Sequence, residues 1–195
     1  TLSNFETKNL SGCTSLASIP SFRNNTIITS IDLSGCTSLA SIGNSAFSGC
    51  TGLTSIDLPS SLASIGNDAF SSCSSLESIT FGENSQLQTI GNYAFNGCSG
   101  LTGELVIPTS VTGIGNYAYY GCSSLESLTF CENSQLQTIG NAAFSRCSGL
   151  TGDLIIPSGV TSIGDYAFQY CSNLESITIP ASVTSIGNYA YYGCS

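Results

Sequence analysis

Apolar residues recur along the chain in a unit of 23 to 25 residues. In the clearest copy the apolar positions are Leu53, Ile56, Leu58, Leu62, Ile65, Ala69, Phe70 and Cys73. An Ile-Gly pair marks each unit, and its isoleucines are Ile42, Ile65, Ile90, Ile114, Ile139, Ile163 and Ile186. A fixed period of this length predicts a solenoid, in which each unit is one coil and buries its apolar face against its neighbours.

Within one unit the pattern predicts a strand followed by a second, shorter extended piece. Ile56 and Leu58 alternate with Ser55 and Asp57, which is the period of two of a half-buried strand. Stacking the coils should join these strands into a parallel sheet. The prolines that follow the strands lack a backbone donor and should end the ladder; they are Pro59, Pro108, Pro157 and Pro180.

The rest of the unit predicts a turn and a short helix. Gly66 and Asn67 indicate a turn in which Gly takes a positive φ and Asn caps the segment that follows. Residues 68–72 should then form about one helical turn that buries Ala69 and Phe70. The expected fold is an α/β solenoid, with a parallel sheet on one side and a short strand and single helical turn per coil on the other.

The repeats organise the chain as a single domain spanning residues 1–195. Residues 1–27 predict an irregular N-terminal coil or cap, and residues 28–195 predict repeats of 23 to 25 residues. Residues 73–121 and 122–170 form a larger duplication of 49 residues, of which 35 are identical. Because the sequence stops at Ser195 inside a unit, we expect the array to continue in a longer protein.

The consensus LxxIxLPxxLxxIGxxAFxxC over residues 28–195 resembles the BspA-like, or Treponema-type, leucine-rich repeat. The departures are Tyr119 and Tyr191 where Phe is usual, and Gly82 and Cys131 where Pro is usual. The resemblance implies a curved right-handed solenoid whose long-strand sheet lies on the concave side. It also implies a bacterial or protist surface protein, with adhesins for host matrix proteins among its relatives, and no catalytic residues.

Composition narrows the classes of partner. Only 8% of the residues are charged and the net charge is −9, which argues against nucleic acid, since phosphate binding needs clustered cations. No apolar run approaches the roughly 20 residues of a membrane-spanning helix, so no membrane insertion is predicted. A polar surface of Ser, Thr and Asn with few charges favours an extracellular or cell-surface location.

Cysteines form a column and not a disulfide framework. One occurs per coil, at Cys50, Cys73, Cys98, Cys122, Cys147, Cys171 and Cys194. Neighbours in a parallel stack lie about 4.8 Å apart, whereas disulfide Cβ atoms lie roughly 3.8 Å apart, so free buried thiols are predicted, with disulfides or a metal as alternatives. The chain has no His and no CxxC pair, which disfavours zinc, and no cofactor is predicted. Cys131, outside the column, should be the most reactive thiol.

Catalysis is not predicted. Without histidine, the usual Ser/His and Cys/His nucleophiles are excluded. Asp32 and Asp57 should stack on adjacent coils, and Glu77, Glu126 and Glu175 recur on every second coil, so cation binding or acid–base work stays open. However, the repeat generates such rows by itself, and we therefore predict a protein that is not an enzyme.

The outward positions of the long strands are the predicted binding surface. A partner lying on the concave side could touch many coils through them. They are Ser55, Asp57, Ser78, Thr80, Glu104, Val106, Ser127, Thr129, Asp153, Ile155, Ser176 and Thr178. The leading hypothesis is a non-enzymatic surface or secreted module, such as an adhesin, that binds a protein partner here; the plain alternative is that these residues only solvate the sheet.

Two further hypotheses remain open. Tyr93, Tyr117, Tyr166 and Tyr189 share one position of the unit and could stack on sugars, which would make the chain a carbohydrate-binding module. The alternative for this row is packing between coils, because Asp68 and Ala142 occupy the same position without a ring. The remaining hypothesis is a passive spacer within a larger surface protein.

Overall fold

The computed structural model describes residues 6–194, in which fifteen strands and no helix are present. The long strands are β1 (Thr7–Asn9), β2 (Ser30–Asp32), β4 (Ser55–Leu58), β6 (Ser78–Phe81), β8 (Gly103–Ile107), β10 (Leu125–Phe130), β12 (Gly152–Ile155) and β14 (Leu174–Thr178). The short strands are β3 (Ser41–Ile42), β5 (Ser64–Ile65), β7 (Thr89–Ile90), β9 (Gly113–Ile114), β11 (Thr138–Ile139), β13 (Ser162–Ile163) and β15 (Ser185–Ile186). All pairings are parallel, as a stack of coils requires. The chain is thus a β solenoid.

The first regular strand lies further toward the N-terminus than the sequence pattern indicated. β1 pairs with β2 in the register Thr7 with Ser30. No short strand precedes β3 among the described residues, so this first coil is only half regular. Residues 1–5 and Ser195 lie outside the described part, and with them the extreme ends of the predicted cap and array.

A stack of aromatic rings runs through the core. Successive rings are nearly parallel, with centroids 5.0–5.7 Å apart. The column consists of Phe22, Phe47, Phe70, Phe95, Tyr119, Phe144, Phe168 and Tyr191. Tyr119 and Tyr191 fit the stack in place of Phe, but their buried hydroxyls have no hydrogen-bond partner among the described residues.

The predicted helical turn is wrong. In the segment after each Gly-Asn pair, alternate N–H groups bond to the next coil, as when Phe47 N donates to Ala69 O at 2.7 Å. The intervening ones make tight turns, as when Cys50 N donates to Phe47 O at 3.0 Å. Residues in this segment also take the left-handed conformation, such as Asp68 at φ 55°. A left-handed residue cannot continue a right-handed helix, and the backbone donors a helix needs are used between coils.

The glycine and asparagine of each Ile-Gly-Asn segment make contacts between coils. The predicted role, a turn with a positive φ at Gly and a cap at Asn, is wrong. Gly66 and Gly115 do not have a positive φ. Instead, a Cβ on Gly115 would lie 2.6 Å from the backbone N of Asn92, so only Gly allows the coils to approach this closely. The Asn side chains form a ladder, since Oδ1 of Asn67 accepts from the backbone N of Asn92 at 2.9 Å. The ladder joins each short strand to the next coil.

The ten cysteines all lie within the described residues and none is paired. In the column, those from Cys50 to Cys171 are buried free thiols, as predicted, whereas Cys194 is half-buried. Column thiols donate to the carbonyl of an aromatic residue in the preceding coil, for example Cys73 Sγ to Phe47 O at 3.1 Å and Cys171 Sγ to Phe144 O at 3.2 Å. Burial raises the pKa of Cys73 to about 12 and that of Cys50 to about 11. These thiols therefore stay protonated and act as small core residues.

Residues 6–194 contain no helix of the length and apolarity that spanning a bilayer would require.

Candidate functional site

All twelve predicted binding residues lie on the outward face of the long strands, and each is exposed or half-buried. Their register pairs them across neighbouring strands: Ser55 with Ser78, Asp57 with Thr80, Glu104 with Ser127, Val106 with Thr129, Asp153 with Ser176, and Ile155 with Thr178. Val106 and Ile155 are 39% and 66% exposed. We call this surface the long-strand face.

The long-strand sheet is not continuous, although stacking of the coils predicted one sheet. It consists of a four-stranded sheet, β1-β2-β4-β6, and two pairs, β8-β10 and β12-β14. No strand pairing joins β6 to β8 or β10 to β12, all four of which are described in full. The predicted row of binding residues is therefore cut into three groups.

One inserted residue accompanies each break. From Leu76 to Phe81 the spacing is five positions, but from Leu101 to Ile107 it is six, and Leu150 to Ile156 repeats this. The insertions coincide with Gly103 and Gly152, whose φ values are 67° and 70°. A longer loop alone does not break the sheet, since six positions separate Leu33 from Leu39 and β2 still pairs with β4.

Cleft 1, which we define as the space between β6 and β8, has a volume of about 710 Å³. It is closed at one end by Thr102 N, which donates to Glu77 O at 3.2 Å, and at the other by Ser110 Oγ, which donates to Ser85 O at 2.7 Å. The cleft opens the core to solvent. Ile79 and Phe81 on its floor are only half-buried, whereas Ile56 and Leu58, their equivalents in the intact pair, are 1% exposed.

Cleft 2 lies between β10 and β12 and has a volume of about 370 Å³. Thr151 N donates to Glu126 O at 3.0 Å at its start, which is the counterpart of the closing bond of cleft 1. Phe130 contributes to its floor, as Phe81 does in cleft 1. Cys131 borders both clefts and is partly exposed. The two clefts follow from the 49-residue duplication.

Each cleft is lined by one acidic side chain. Glu104 lines cleft 1 and Asp153 lines cleft 2, where Asp153 Oδ1 accepts from Ser176 Oγ. No Lys or Arg is among the described residues that line either cleft. Their walls therefore combine strand edges, an apolar floor and one carboxylate each, which suits an apolar or cationic ligand group.

The acidic rows form no metal centre within residues 6–194, where no group of three or more Cys, Asp or Glu side chains converges. Asp32 and Asp57 are paired in register, as the spacing predicted. Oδ1 of Asp32 accepts from Ser34 N at 3.0 Å and from Ser34 Oγ at 2.6 Å, so this carboxylate stabilises its own turn.

The tyrosine row packs between coils, as the alternative interpretation of the row predicts. Tyr93 stacks on Tyr117 with centroids 4.9 Å apart, and Tyr166 stacks on Tyr189 at 5.5 Å. Ala142 separates the two pairs and is 3% exposed. Stacking covers one face of each ring, and Tyr189 at the end of the row remains 61% exposed.

A second aromatic feature, which the sequence did not indicate, adjoins this row. The Arg146 guanidinium carbon lies 5.8 Å from the centroid of the Tyr120 ring and 5.6 Å from that of Tyr170. Arg146 and Tyr170 share one position of successive coils, and Tyr120 lies one position earlier in the coil before them. Cation–π contacts of this kind contribute about 0.5–1 kcal/mol at exposed sites.

Parallel coils, an unbroken ladder of short strands and a core column of aromatic rings and thiols together define a leucine-rich-repeat solenoid. The profile of the BspA type leucine-rich repeat region matches residues 18–151 and 102–195, with six copies in all. The chain belongs to this family. No curated protein sequence matches the chain significantly.

Solved structures agree with this assignment. The chain is similar to a leucine rich cell surface protein from Faecalibacterium prausnitzii, at 34% identity and a TM-score of 0.71 over 80% of this chain and 41% of the other. It is also similar to the leucine rich repeat protein of T. pallidum, at 32% identity and a TM-score of 0.74 over 85% of this chain and 76% of the other. The pneumococcal vaccine antigen PcpA matches at 28% identity and a TM-score of 0.64, over 74% of this chain and 36% of the antigen. The chain thus spans less than half of the Faecalibacterium and pneumococcal proteins.

Proposed function

We propose that the chain is a non-enzymatic, extracellular protein-interaction module that binds a protein partner on its long-strand face and serves in adhesion. The observation that carries this proposal is the exposure of Val106 and Ile155 in an otherwise polar face, next to clefts that uncover Ile79 and Phe81. Contiguous apolar surface with a polar rim is typical of interaction sites. The similarity to proteins named as a cell surface protein and a vaccine antigen supports a surface location.

The test is binding of the purified chain to immobilised extracellular-matrix proteins and other bacterial surface proteins. The variant carries Thr80→Arg and Thr129→Arg, which place a long cationic side chain at each cleft. The control carries Ser72→Arg and Gly121→Arg, which add the same charge at the unit position where Arg146 occurs naturally with φ 62°. A Cβ on Gly121 would have nothing within 4 Å. We expect the affinity for a bound protein to fall at least tenfold in the variant and to stay unchanged in the control. Equal loss in both, or no binding by the wild type, would contradict the proposal.

Carbohydrate binding is the second candidate, and the exposed Tyr189 and the Tyr120–Arg146–Tyr170 cluster favour it. It predicts sugar-competed binding on a glycan panel that is lost when Tyr117 and Tyr189 become Ala. Ala142 shows that Ala accepts this backbone, with φ 51°, so the substitutions should not disturb the fold. If glycan binding survives in this variant, the tyrosine row is not the sugar-binding site. No binding on either panel would favour the spacer.

A further inference from the structure

We propose that clefts 1 and 2 each accept an extended segment of a partner polypeptide, which adds as a strand between the two separated edges. This inference rests on the proposed function and names the chemistry of the partner. The occupant is a segment in β conformation with alternating apolar and basic side chains.

The first argument is the number of strand edges that face the clefts. β6 ends the four-stranded sheet, and β8 begins the next one with its outer edge toward β6. β10 and β12 repeat this arrangement at cleft 2. A strand edge presents a row of backbone donors and acceptors that pairs readily with another chain, and natural proteins usually cover it. Here two edges face one another across each cleft.

The second argument is the direction of the backbone groups. Where coils are joined, inward residues bond to the following coil: Leu33 N donates to Asp57 O at 2.8 Å, and Leu58 O accepts from Gly82 N at 3.1 Å. The same rule directs the N–H and C=O groups of Ile79 and Phe81 toward β8. Parallel ladders alternate, so Glu104 and Val106 direct theirs toward β6. An inserted strand would find partners on both sides.

The third argument is the chemistry of the walls. The floor of cleft 1 includes Ile79, Phe81 and Pro108, and its rim includes Glu104. A strand alternates its side chains between two faces, so it would place apolar groups on this floor and polar groups at the rim. Glu104, the net charge of −9 and the lack of Lys or Arg among the described lining residues select a basic rim group. Strand addition gives affinity through the main chain and specificity through such alternate pockets.

The two clefts differ in volume, and the larger one is the better candidate for a binding site. Cleft 1 has about 710 Å³, within the range of roughly 300–1,000 Å³ typical of ligand sites, and cleft 2 has about 370 Å³, near its lower end. Cleft 1 is the primary site. A partner with two such segments could occupy both clefts of the duplication.

The test uses acetylated heptapeptides in which Lys alternates with Val, Ile, Phe or Thr, with affinity measured by isothermal titration calorimetry. The best peptide is then remade with N-methyl groups on alternate amides, which keep the side chains but remove the donors that face one of the two strand edges. We expect a Kd of about 100 μM or tighter, weakened at least tenfold by N-methylation. Failure of every peptide to bind, or equal affinity of the methylated one, would overturn the proposal.

Deletion of Gly103 provides the matched protein variant, since it restores the five-position spacing of the intact coils and should close cleft 1. Deletion of Gly152 is the control, because it alters cleft 2 alone. Peptide affinity should fall at least tenfold in the first variant and be retained in the second, with circular dichroism and thermal unfolding showing that both fold. Retained affinity in a folded Gly103 deletion variant would contradict strand addition.

Cys131 reports where the peptide lies. Bound peptide should slow alkylation of this thiol by iodoacetamide, read by mass spectrometry, without changing that of the distant Cys13. Unchanged labelling of Cys131 would place the peptide elsewhere. The two proposals fail separately: a matrix protein bound through the long-strand face but unaffected by both deletions keeps the interaction function and refutes strand addition. Dimerisation of the free chain in sedimentation, abolished by deleting Gly103, would make a second copy the occupant and also overturn the proposal.

Discussion

The two sheets of this solenoid differ although the same coils build them. The short-strand sheet runs without a break through seven strands of the described residues, whereas the long-strand sheet is cut twice. On the short-strand side the coils are in backbone contact, and the asparagine ladder joins each to the next. On the long-strand side no pairing among the described strands joins β6 to β8 or β10 to β12, and an inserted residue accompanies each break. The short-strand side therefore holds the coils together, and on the long-strand side the pairing between coils can vary.

This difference shows how a repeat protein can form a cleft while it keeps its repeating architecture. Each coil contacts only its neighbours, so a local insertion changes one interface and leaves the rest of the stack as it was. The duplication of residues 73–121 as 122–170 then reproduced the change two coils further on. The four predictions that follow test what the two sheets share and where they differ.

Alkaline pH should have the largest effect, because the cysteine column lies in the core that both sheets share. Burial raises the pKa of Cys50 from 9.0 to about 11, and those of Cys73 and Cys171 from 9.0 to about 12. Thiols with a raised folded pKa hold their protons more tightly in the folded chain. Their contribution is complete below pH 9 and is lost as the pH rises toward 12.

We therefore expect the free energy of unfolding, measured by urea denaturation in reducing buffer, to fall steeply between pH 9 and 12. Both sheets should unfold together. The Cys73→Ala variant removes one of these groups, so its slope against pH should be smaller. An unchanged slope would mean that this thiol does not contribute to the alkaline transition.

Gly115→Ala should have the next largest effect on the free energy of unfolding, because Gly115 lies on the short-strand side, where the coils are in backbone contact. The new Cβ would lie 2.6 Å from backbone atoms of Gly91 and Asn92, which cannot move without separating the coils. We expect a loss on the order of 3 kcal/mol in the free energy of unfolding. Gly43→Ala is the matched control, because nothing lies within 4 Å of its Cβ position. Equal losses in the two variants would show that close approach is not the reason for the glycine.

Asn116→Ala should have a moderate effect on the same side. Asn116 Oδ1 accepts from the backbone N of Asn141 at 2.8 Å, so removing it deletes one rung of the ladder. The expected loss is about 1 kcal/mol in the free energy of unfolding, the usual net value of one hydrogen bond. Asn116→Asp keeps the acceptor and should lose less, since Asp165 already accepts from Asn188 N at 2.6 Å. If Asp costs as much as Ala, the rung does not depend on the acceptor oxygen.

The period of the sequence was enough to predict the stack, the strand positions and the outward direction of residues such as Thr80 and Ile155. These follow from alternation and from the identity of successive coils, which are local properties. The thiol column was predictable for the same reason, because one position per coil becomes one column.

The helical turn was not predicted correctly, because its outcome depends on contacts between coils. Residues 68–72 have a composition compatible with one turn of helix, but their backbone donors bond to the next coil. The glycine of the Ile-Gly pair was assigned to a turn for the same reason. A sequence shows where a glycine occurs. It does not show whether the glycine is required for a positive φ or for the close approach of a neighbouring coil.

The clefts could have been found from the sequence by one count. The spacing from Leu101 to Ile107 exceeds that of the other coils by one residue, and Leu150 to Ile156 repeats it. The count alone does not say whether the strand bulges or separates. Only the structure shows the outcome: the bond from Thr102 N to Glu77 O is kept, but after it no strand pairing joins β6 to β8, both described in full.

Deletion of Gly103 should change stability least and sharpen the comparison most. Gly103 has no side chain to lose, but its deletion removes its pairing with Leu125 at the start of β8. The shortened coil reads Leu-x-x-Leu-x-Ile, which matches the coils with intact pairing. We expect β8 to pair with β6, which would cover Ile79 and Phe81. Shortening a loop by one residue changes the closure entropy by much less than about 1 kcal/mol. The lost pairing with Leu125 offsets part of the gain from the new pairing with β6, so the net change in the free energy of unfolding should stay near about 1 kcal/mol.

Hydrogen exchange measures this change directly. The amides of Ile79, Phe81, Glu104 and Val106 should become protected in the deletion variant, because a new ladder would use them. The amides of Leu105 and Ile107, which face β10, should exchange as before. If the four amides remain as accessible as in the wild type, the inserted residue is not what separates the strands.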